Sequence, residues 1–343
     1  MATTSNPRPR LSVALCTHNG AAHLREQWDS LLTQEWLPNE VVVSDDASTD
    51  TTMLLIQEWT KTAPFRVVIH QNPQPVGSNQ NFGRALAACT GDILFICDQD
   101  DMWFPAKTRV MTEYFMENPA VNVVFADAEL ADEQLQPIGG TFWEKVRFTA
   151  PERKDWQTGQ AMHVMLNGNR VMGSATALRA TFRRQALPIP DPIPGGYLYD
   201  GWLALVAAAT QSIRFIDQPL QRYRTHEAQQ VGVRSPAAPP AVALRDRFGR
   251  ERTLKLAPFQ QHQADLQTLL DEFSTRVGSG AAGLSALRHR LAHFQMRATL
   301  PPNRLLRLWP VVEAVFSGKY QRYADLEANF VAPYVAALGD LLE

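Results

Sequence analysis

Apolar runs and amphipathic stretches alternate regularly along the first 130 residues. A continuous apolar run at 11–16 is followed by an amphipathic stretch over 21–33, then by 40–44 with Val41, Val42 and Val43. The pattern repeats: 51–61 leads to 66–70, 78–88 to 92–97, and 106–118 to 121–126. Short β-branched runs between helical patterns predict parallel strands covered on both faces. The expected fold class is α/β, a mostly parallel sheet flanked by helices, of nucleotide-binding architecture. Ligands of such sheets sit beyond the carboxyl ends of the strands. The polar clusters fall there: Thr17-His18-Asn19, Asp45-Asp46 and Asp98-Gln99-Asp100-Asp101.

The pattern loosens over 128–240, with a polar-aromatic stretch at 139–156, a mixed one at 167–184 and a turn-rich one at 188–196. A helix-like 200–210 and a strand-like 212–216 follow. Ser235-Pro236-Ala237-Ala238-Pro239-Pro240 reads as a linker. Beyond it the pattern is helical, with Leu266, Leu269, Leu270 and Phe273, then Leu305, Leu308, Val312 and Val315, at helix spacing. The expected organisation is a flexible lead-in (1–10), an α/β domain (11–235, with halves 11–127 and 128–235) and a helical extension (241–343).

Composition narrows this picture. With 343 residues, 45% hydrophobic and 20% charged, wholesale disorder is excluded. The 33 Lys+Arg and 35 Asp+Glu give a net charge of −2, which argues against a dedicated nucleic-acid binder. The total hides a division: residues 1–242 carry −5, residues 243–322 carry +7 (13 basic, 6 acidic), and 323–343 carry −4. No run approaches the ~18–20 apolar residues that span a bilayer, and the first ten residues lack the apolar stretch of a secretory signal. Cys16, Cys89 and Cys97 read as buried reduced thiols, and a cytoplasmic protein is expected.

Asp98, Asp100 and Asp101 place three carboxylates in four positions directly after an apolar strand. They repel one another unless a cation intervenes, and hard oxygen donors suit Mg²⁺ or Mn²⁺ bridging substrate phosphates. A solvated acidic turn is the plainer alternative. In 45–50, Ser48 or Asp50 can cap the following helix, which leaves Asp46 free to accept from a nucleobase imide N–H.

Three motifs in order carry a resemblance: Leu15-Cys16-Thr17-His18-Asn19-Gly20, the run 45–50, and 91–105 with Asp98-Gln99-Asp100-Asp101-Met102-Trp103-Phe104-Pro105 and Lys107. Over about residues 10–235 the chain resembles the inverting family 2 glycosyltransferases of the GT-A fold, particularly rhamnosyltransferase-like members. The resemblance implies a nucleoside-diphosphate sugar donor (UDP- or dTDP-linked), a glycan or glycolipid acceptor, and a divalent metal held by Asp98 and Asp100, with Asp101 able to substitute. It implies nucleotide contacts from Thr17, Asn19, Asp46 and Asn81, the last in a closing loop at 77–82. Arg84 could add a charge there, or be a surface arginine. Tyr199-Asp200-Gly201-Trp202 matches the place of the general base, so Asp200 is the candidate; capping the following helix is its alternative. His226, in Tyr223-Arg224-Thr225-His226, is implied near the metal or diphosphate. Gln221 and Arg224 match part of a processive motif, but Thr225 replaces its Trp, which favours single addition. Asn169, Thr176, Trp202 and Asp127 are implied on the acceptor side.

Two rivals remain in view, a sugar nucleotidyltransferase and a catalytically degenerate glycan- or nucleotide-binding module. The first needs a glycine-rich basic loop after the first strand, where this chain has Thr17-His18-Asn19-Gly20-Ala21. Gly278-Ser279-Gly280-Ala281-Ala282-Gly283 fits a dinucleotide pattern, yet a helical stretch precedes it, so a helix–helix linker is expected. His289 and His293 read as a solvated face. Arg288, Arg290, Arg297, Arg304 and Arg307, with Trp309 and Phe316, would suit contact with an anionic membrane; a solvated helical cover is the alternative.

Overall fold

The computed structural model describes residues 8–226, 252–324 and 330–342. The linker at 235–240 and the first seven residues of the lead-in lie outside the described residues. Strands β1 (Leu11–Thr17), β2 (Glu40–Asp45), β3 (Arg66–Gln71) and β4 (Ile93–Cys97) run parallel in the order β3-β2-β1-β4. Helices α1 (Leu24–Leu32), α2 (Thr52–Thr60) and α3 (Ser78–Ala88) connect them. Successive residues of a strand point to opposite faces. Val13 and Leu15 accordingly pack with Leu24 and Trp28 of α1, while Ala14 and Cys16 pack with Phe82 and Ala85 of α3.

The second half departs from an all-parallel sheet. After β5 (Met102–Trp103) and α4 (Lys107–Glu117) come β6 (Val123–Ala131), β7 (Pro137–Thr141), α5 (Phe142–Lys145), α6 (Ala150–Asp155) and α7 (Ala161–Leu166). Then follow β8 (Thr176–Arg179), α8 (Arg183–Ala186), α9 (Tyr199–Ala209) and β9 (Ile213–Arg224). The nine-stranded sheet runs β3-β2-β1-β4-β8-β6-β9-β5, with β7 on β6. Strand β8 lies antiparallel between β4 and β6. The observed class is therefore α/β with a mixed sheet.

The C-terminal helices are α10 (Arg252–Val277), α11 (Leu284–Ala298), α12 (Arg304–Phe316), α13 (Lys319–Arg322) and α14 (Ala332–Leu342). Helices α10 and α11 are not merely a cover. Leu266, Leu269, Phe273, Leu287 and Leu291 join the same apolar core as Trp202 and Leu205 of α9. The Trp202 and Phe273 rings lie 5.2 Å apart, and Gly283 N donates to Ala209 O at 3.0 Å. The 278–283 glycines form the α10–α11 connection, as expected, and a Cβ on Gly283 would lie 2.2 Å from Ala208 O.

Helix α12 keeps its expected period but buries the other face. Val311 and Ala314 are covered, while Leu305 and Leu308 are exposed. Three of the five membrane-assigned arginines are likewise turned inward. Arg290 is buried, Arg307 donates to the carbonyls of Pro301 and Pro302, and Arg297 forms a fork on Asp340 at 2.7 and 3.2 Å. His293 is also buried, against Phe294, Tyr320 and Tyr323, so it does not belong to a solvated face. Among the described residues no helix is long and apolar enough to cross a membrane.

Candidate active site

The carboxyl ends of β1, β2 and β4 open into one cleft of about 930 Å³, closed on its far side by α10 and α11. The wall at these strand ends is tied together by hydrogen bonds among side chains and backbone. Thr17 Oγ1 donates to Asp45 Oδ2 at 2.8 Å. Asn19, at φ 47°, accepts from Thr49 N through Oδ1 at 2.8 Å. Gln99 clamps His18 from both sides, accepting from its N–H at 2.9 Å and donating to its carbonyl at 3.0 Å. Gly20 is required beside this clamp, because a Cβ there would lie 2.0 Å from Gln99 Oε1.

Asp46 is buried and organises the segment that closes this wall. Its Oδ1 accepts from Val76 N at 2.7 Å and Asn72 Nδ2 at 2.9 Å, and Oδ2 accepts from Gly77 N at 2.9 Å. A carboxylate offers about four acceptor sites, so Oδ2 can still receive a ligand N–H. Asn81 bridges Ser44, accepting from its hydroxyl at 2.7 Å and donating to its carbonyl at 2.9 Å. Of the five expected nucleotide contacts, Thr17, Asn19, Asp46 and Asn81 line the cleft. Arg84 does not. It is exposed and donates to Asn72 Oδ1, so it braces Asp46's partner from outside.

The three aspartates after β4 have different fates. Asp98 and Asp100 line the cleft. Burial, then the charges of Asp100, Asp101 and Asp200, push the Asp98 carboxyl well above the usual carboxylate range. Asp100 Oδ2 lies 2.9 Å from His226 Nε2, and the His226 ring lies 4.5 Å from that of His23. Burial, the positive charge of Arg224 and the neighbouring His226 push the His23 imidazole below its ordinary value.

Asp101 corrects an expectation, since it is fully buried and does not line the cleft. Its carboxylate accepts from Ser174 Oγ at 2.6 Å, Gln221 Nε2 at 2.9 Å and Arg224 N at 3.2 Å. Lys107, also buried, donates to Gln221 Oε1 at 2.6 Å and sits 3.7 Å from the Trp103 ring centroid. The Asp101–Lys107–Gln221 set thus pins β9 to the aspartate turn, and the Asp101 carboxylate is engaged there instead of in the cleft.

Across the cleft stands Asp200, in the first turn of α9 but not its cap. Its Oδ1 accepts from Gly201 N at 2.6 Å. Burial pushes its carboxyl up to about 6, moderated by bonds from Gly201 N, the Asn169 side chain and Gly173 N. Tyr199 precedes it in the chain and reaches the other aspartate: its ring stacks on Phe82 at 3.9 Å and its hydroxyl points to Asp98 Oδ1 at 3.4 Å. Gly173 makes room for it, because a Cβ there would lie 2.1 Å from Tyr199 Oη.

Asn169 lines the cleft, but the other three acceptor-side expectations do not. Asp127 accepts from Ala128 N and Trp143 N at 2.8 and 3.0 Å, anchoring the start of α5. Thr176 donates to Met172 O at 2.7 Å inside the core. Trp202 is fully buried and donates to Ala186 O at 2.8 Å. Sequence reasoning passed over His23, Tyr199, Asp265 and Arg290, which do line the cleft. Of these, only Tyr199, inside a quoted motif, had a local signal.

The donor chemistry of Asp98, Asp100 and His226 fits a divalent cation, because the crowded carboxylates call for positive charge. Among the described residues no three His, Cys, Asp or Glu side chains already converge as ligands.

Residues 12–172 match the family model "Glycosyl transferase family 2". The chain carries a family 2 glycosyltransferase domain. Among its relatives is an uncharacterized glycosyltransferase of Nostoc sp., 25% identical over 327 residues and covering 92% of each chain. An uncharacterized protein of Mycobacterium tuberculosis is 26% identical over 221 residues, 63% of this chain and 59% of the relative's own length. The chain thus spans about three-fifths of that relative's own length. In fold, the chain is similar to the crystal structure of Staphylococcus aureus TarS 1–349, at TM-score 0.51 and 13% identity, covering 97% of this chain and 80% of that one. The fold is of the GT-A class, extended by C-terminal helices.

Proposed function

We propose that this glycosyltransferase is metal-dependent and inverting, adding one sugar from a UDP- or dTDP-linked donor to a hydroxyl of a cell-surface or lipid-linked glycan. Rhamnose is the first candidate sugar, from the motif resemblance. The observation that carries the reading is that Asp98 and Asp200 line one cleft, close enough for the charge of Asp200 to help raise the Asp98 carboxyl. Thr17, Asn19 and Asn81 shape the nucleoside wall, and Asp46 accepts from the base imide. Asp98 and Asp100, with His226 beside them, would hold Mg²⁺ or Mn²⁺, which when bound offsets charge developing on the leaving diphosphate.

Asp200 takes the proton from the attacking hydroxyl. The new bond to the anomeric carbon forms as the bond to the diphosphate oxygen breaks, and that electron pair leaves with the nucleoside diphosphate. Attack opposite the leaving group inverts the anomeric centre, and one base suffices because the leaving group is already activated. A panel of nucleotide sugars, titrated with and without Mn²⁺, tests this. The expected result is metal-enhanced binding of a UDP- or dTDP-sugar, lost in Asp100→Ala; no binding of any nucleotide sugar overturns it.

The proposed site of action is the cytoplasm, at a membrane carrying the acceptor. With Arg290, Arg297 and Arg307 turned inward, peripheral contact would rest on Arg288 and Arg304 with exposed Trp309 and Phe316. Flotation with anionic vesicles is expected for the wild type and reduced in Trp309→Ala/Phe316→Ala. A wild type that stays unbound removes this part.

A further inference from the structure

The cleft has a far wall that none of the acceptor-side sequence motifs contains. Helix α10 contributes His262 and Asp265, and α11 contributes Arg290. Arg290 is only 7% exposed. It donates to Asn167 Oδ1, and its guanidinium lies 5.6 Å from the ring centroids of both Phe294 and Tyr323. Cations over aromatic faces are held in place as well as stabilised, so the guanidinium meets Asn167 in a fixed position.

Asn167 begins a turn that ends at the acidic centre. Gly168, at φ 139°, reverses the chain. Asn169 accepts from Val171 N through Oδ1 at 2.9 Å, which leaves its amide N–H groups for Asp200. A C-terminal helix is thereby connected to the proposed base through two hydrogen-bonded asparagines.

The chemistry of this wall is mixed. Arginine only donates, the Asp265 carboxylate only accepts, and His262 and Asn169 can do either. Hydroxyl groups, which donate and accept at once, match such a set. The cleft volume of about 930 Å³ is also at the upper end of single-ligand pockets, roughly 300–1,000 Å³, consistent with two substrates side by side.

We propose that the wall formed by α10, α11 and the Asn167-Gly168-Asn169 turn is the acceptor subsite, taking a sugar residue whose hydroxyls span Asp265 and Arg290. Arg290 is its positioning residue, holding the turn so that Asn169 meets Asp200. The inference rests on the glycosyltransferase reading above.

Three measurements on the full chain test it: UDP affinity with Mn²⁺, the rate of nucleotide-sugar hydrolysis, and retention of glycans on a carbohydrate array. Arg290→Met is expected to lower hydrolysis kcat about tenfold or more and to lose the array glycans that the wild type retains. Donor KM and UDP affinity should stay within about twofold. Arg290→Lys, which keeps an N–H for Asn167, is expected to recover most of kcat. Asn167→Ala should reproduce the Arg290→Met loss, and the double variant should be no worse than either. If Arg290→Met does not fold, Asn167→Ala carries the test.

An unchanged kcat in Asn167→Ala, a parallel loss of UDP affinity in Arg290→Met, or a wild type that retains no glycan overturns the inference. A wild type that binds no nucleotide or nucleotide sugar overturns the underlying reading as well, so the two failures are distinguishable.

Discussion

The wall proposed for the donor is made from three strand ends of one regular β/α repeat, whereas the wall proposed for the acceptor draws Asn169, Asp200 and Arg290 from a turn, a helix start and a C-terminal helix. On the donor side several polar side chains are held by backbone: Asp46 by the N–H groups of Val76 and Gly77, Asn81 by the Ser44 carbonyl, and Gln99 by the N–H and carbonyl of His18. On the acceptor side, side chains hold one another across more than 30 residues of chain, as Arg290 does Asn167. A wall braced by backbone tolerates the loss of one ligand-facing group. A wall braced by side chains transmits such a loss to its neighbours.

The largest effect expected from this contrast is in Asp200→Asn. General-base assistance contributes roughly 10²–10⁴-fold, so transfer should fall by about that factor while UDP affinity is unchanged, as measured by product formation and calorimetry. Retained transfer would remove the acceptor wall from the chemistry. Next, Asp101→Ala should cost about 3–5 kcal/mol in urea unfolding, because it removes the buried acceptor of Ser174 Oγ, Gln221 Nε2 and Arg224 N, each worth roughly 1–3 kcal/mol when left unpaired. Asp98→Ala, which relieves crowded like charges, should leave stability equal or higher. A large loss in Asp98→Ala would mean that the two carboxylates are not divided as described.

The raised carboxyl of Asp200 has two consequences of opposite sign. Asp200 must be deprotonated to act, so kcat should fall about tenfold per pH unit below about 6. A carboxyl raised in the folded state weakens folding as pH climbs from about 4 to about 6. Asp200→Asn is therefore expected to be more stable than the wild type at pH 8, by up to about 3 kcal/mol, and equal to it below pH 4. Thermal melts across pH check this. The smallest effect belongs to Trp202→Phe, which loses the bond to Ala186 O. It should cost about 1–2 kcal/mol in stability and leave UDP binding unchanged, because Trp202 lies outside the cleft.

The donor wall was legible because a β/α repeat puts consecutive strand ends on one edge, so motif order alone predicts which residues meet. Thr17, Asp46 and Asp98 come together in this way. Motif membership did not separate Asp101 from Asp100. One residue apart on a turn, they point to opposite sides, and only the positions of Gln221 and Arg224 decide which is buried. Trp202 and Thr176 failed for a related reason, since a side chain next to a functional one in the chain faces elsewhere on a helix or strand. In α12 the period of apolar residues was correct, but Leu305 and Val311 both fit it. Packing against α14 selected Val311 and Ala314.

By itself the sequence determined the α/β class, the strand ends that carry polar groups, the reduced buried cysteines and the carboxylates available for a cation and a base. These follow from local periodicity and from residue chemistry, both of which are written within a few residues. Tertiary structure alone decided that β8 enters antiparallel, that Asp101 is structural, that Arg290 and Arg297 face inward, and that α10 and α11 close the cleft. Each of these depends on which distant partner fills a given space, and close packing across long chain separations leaves no local mark.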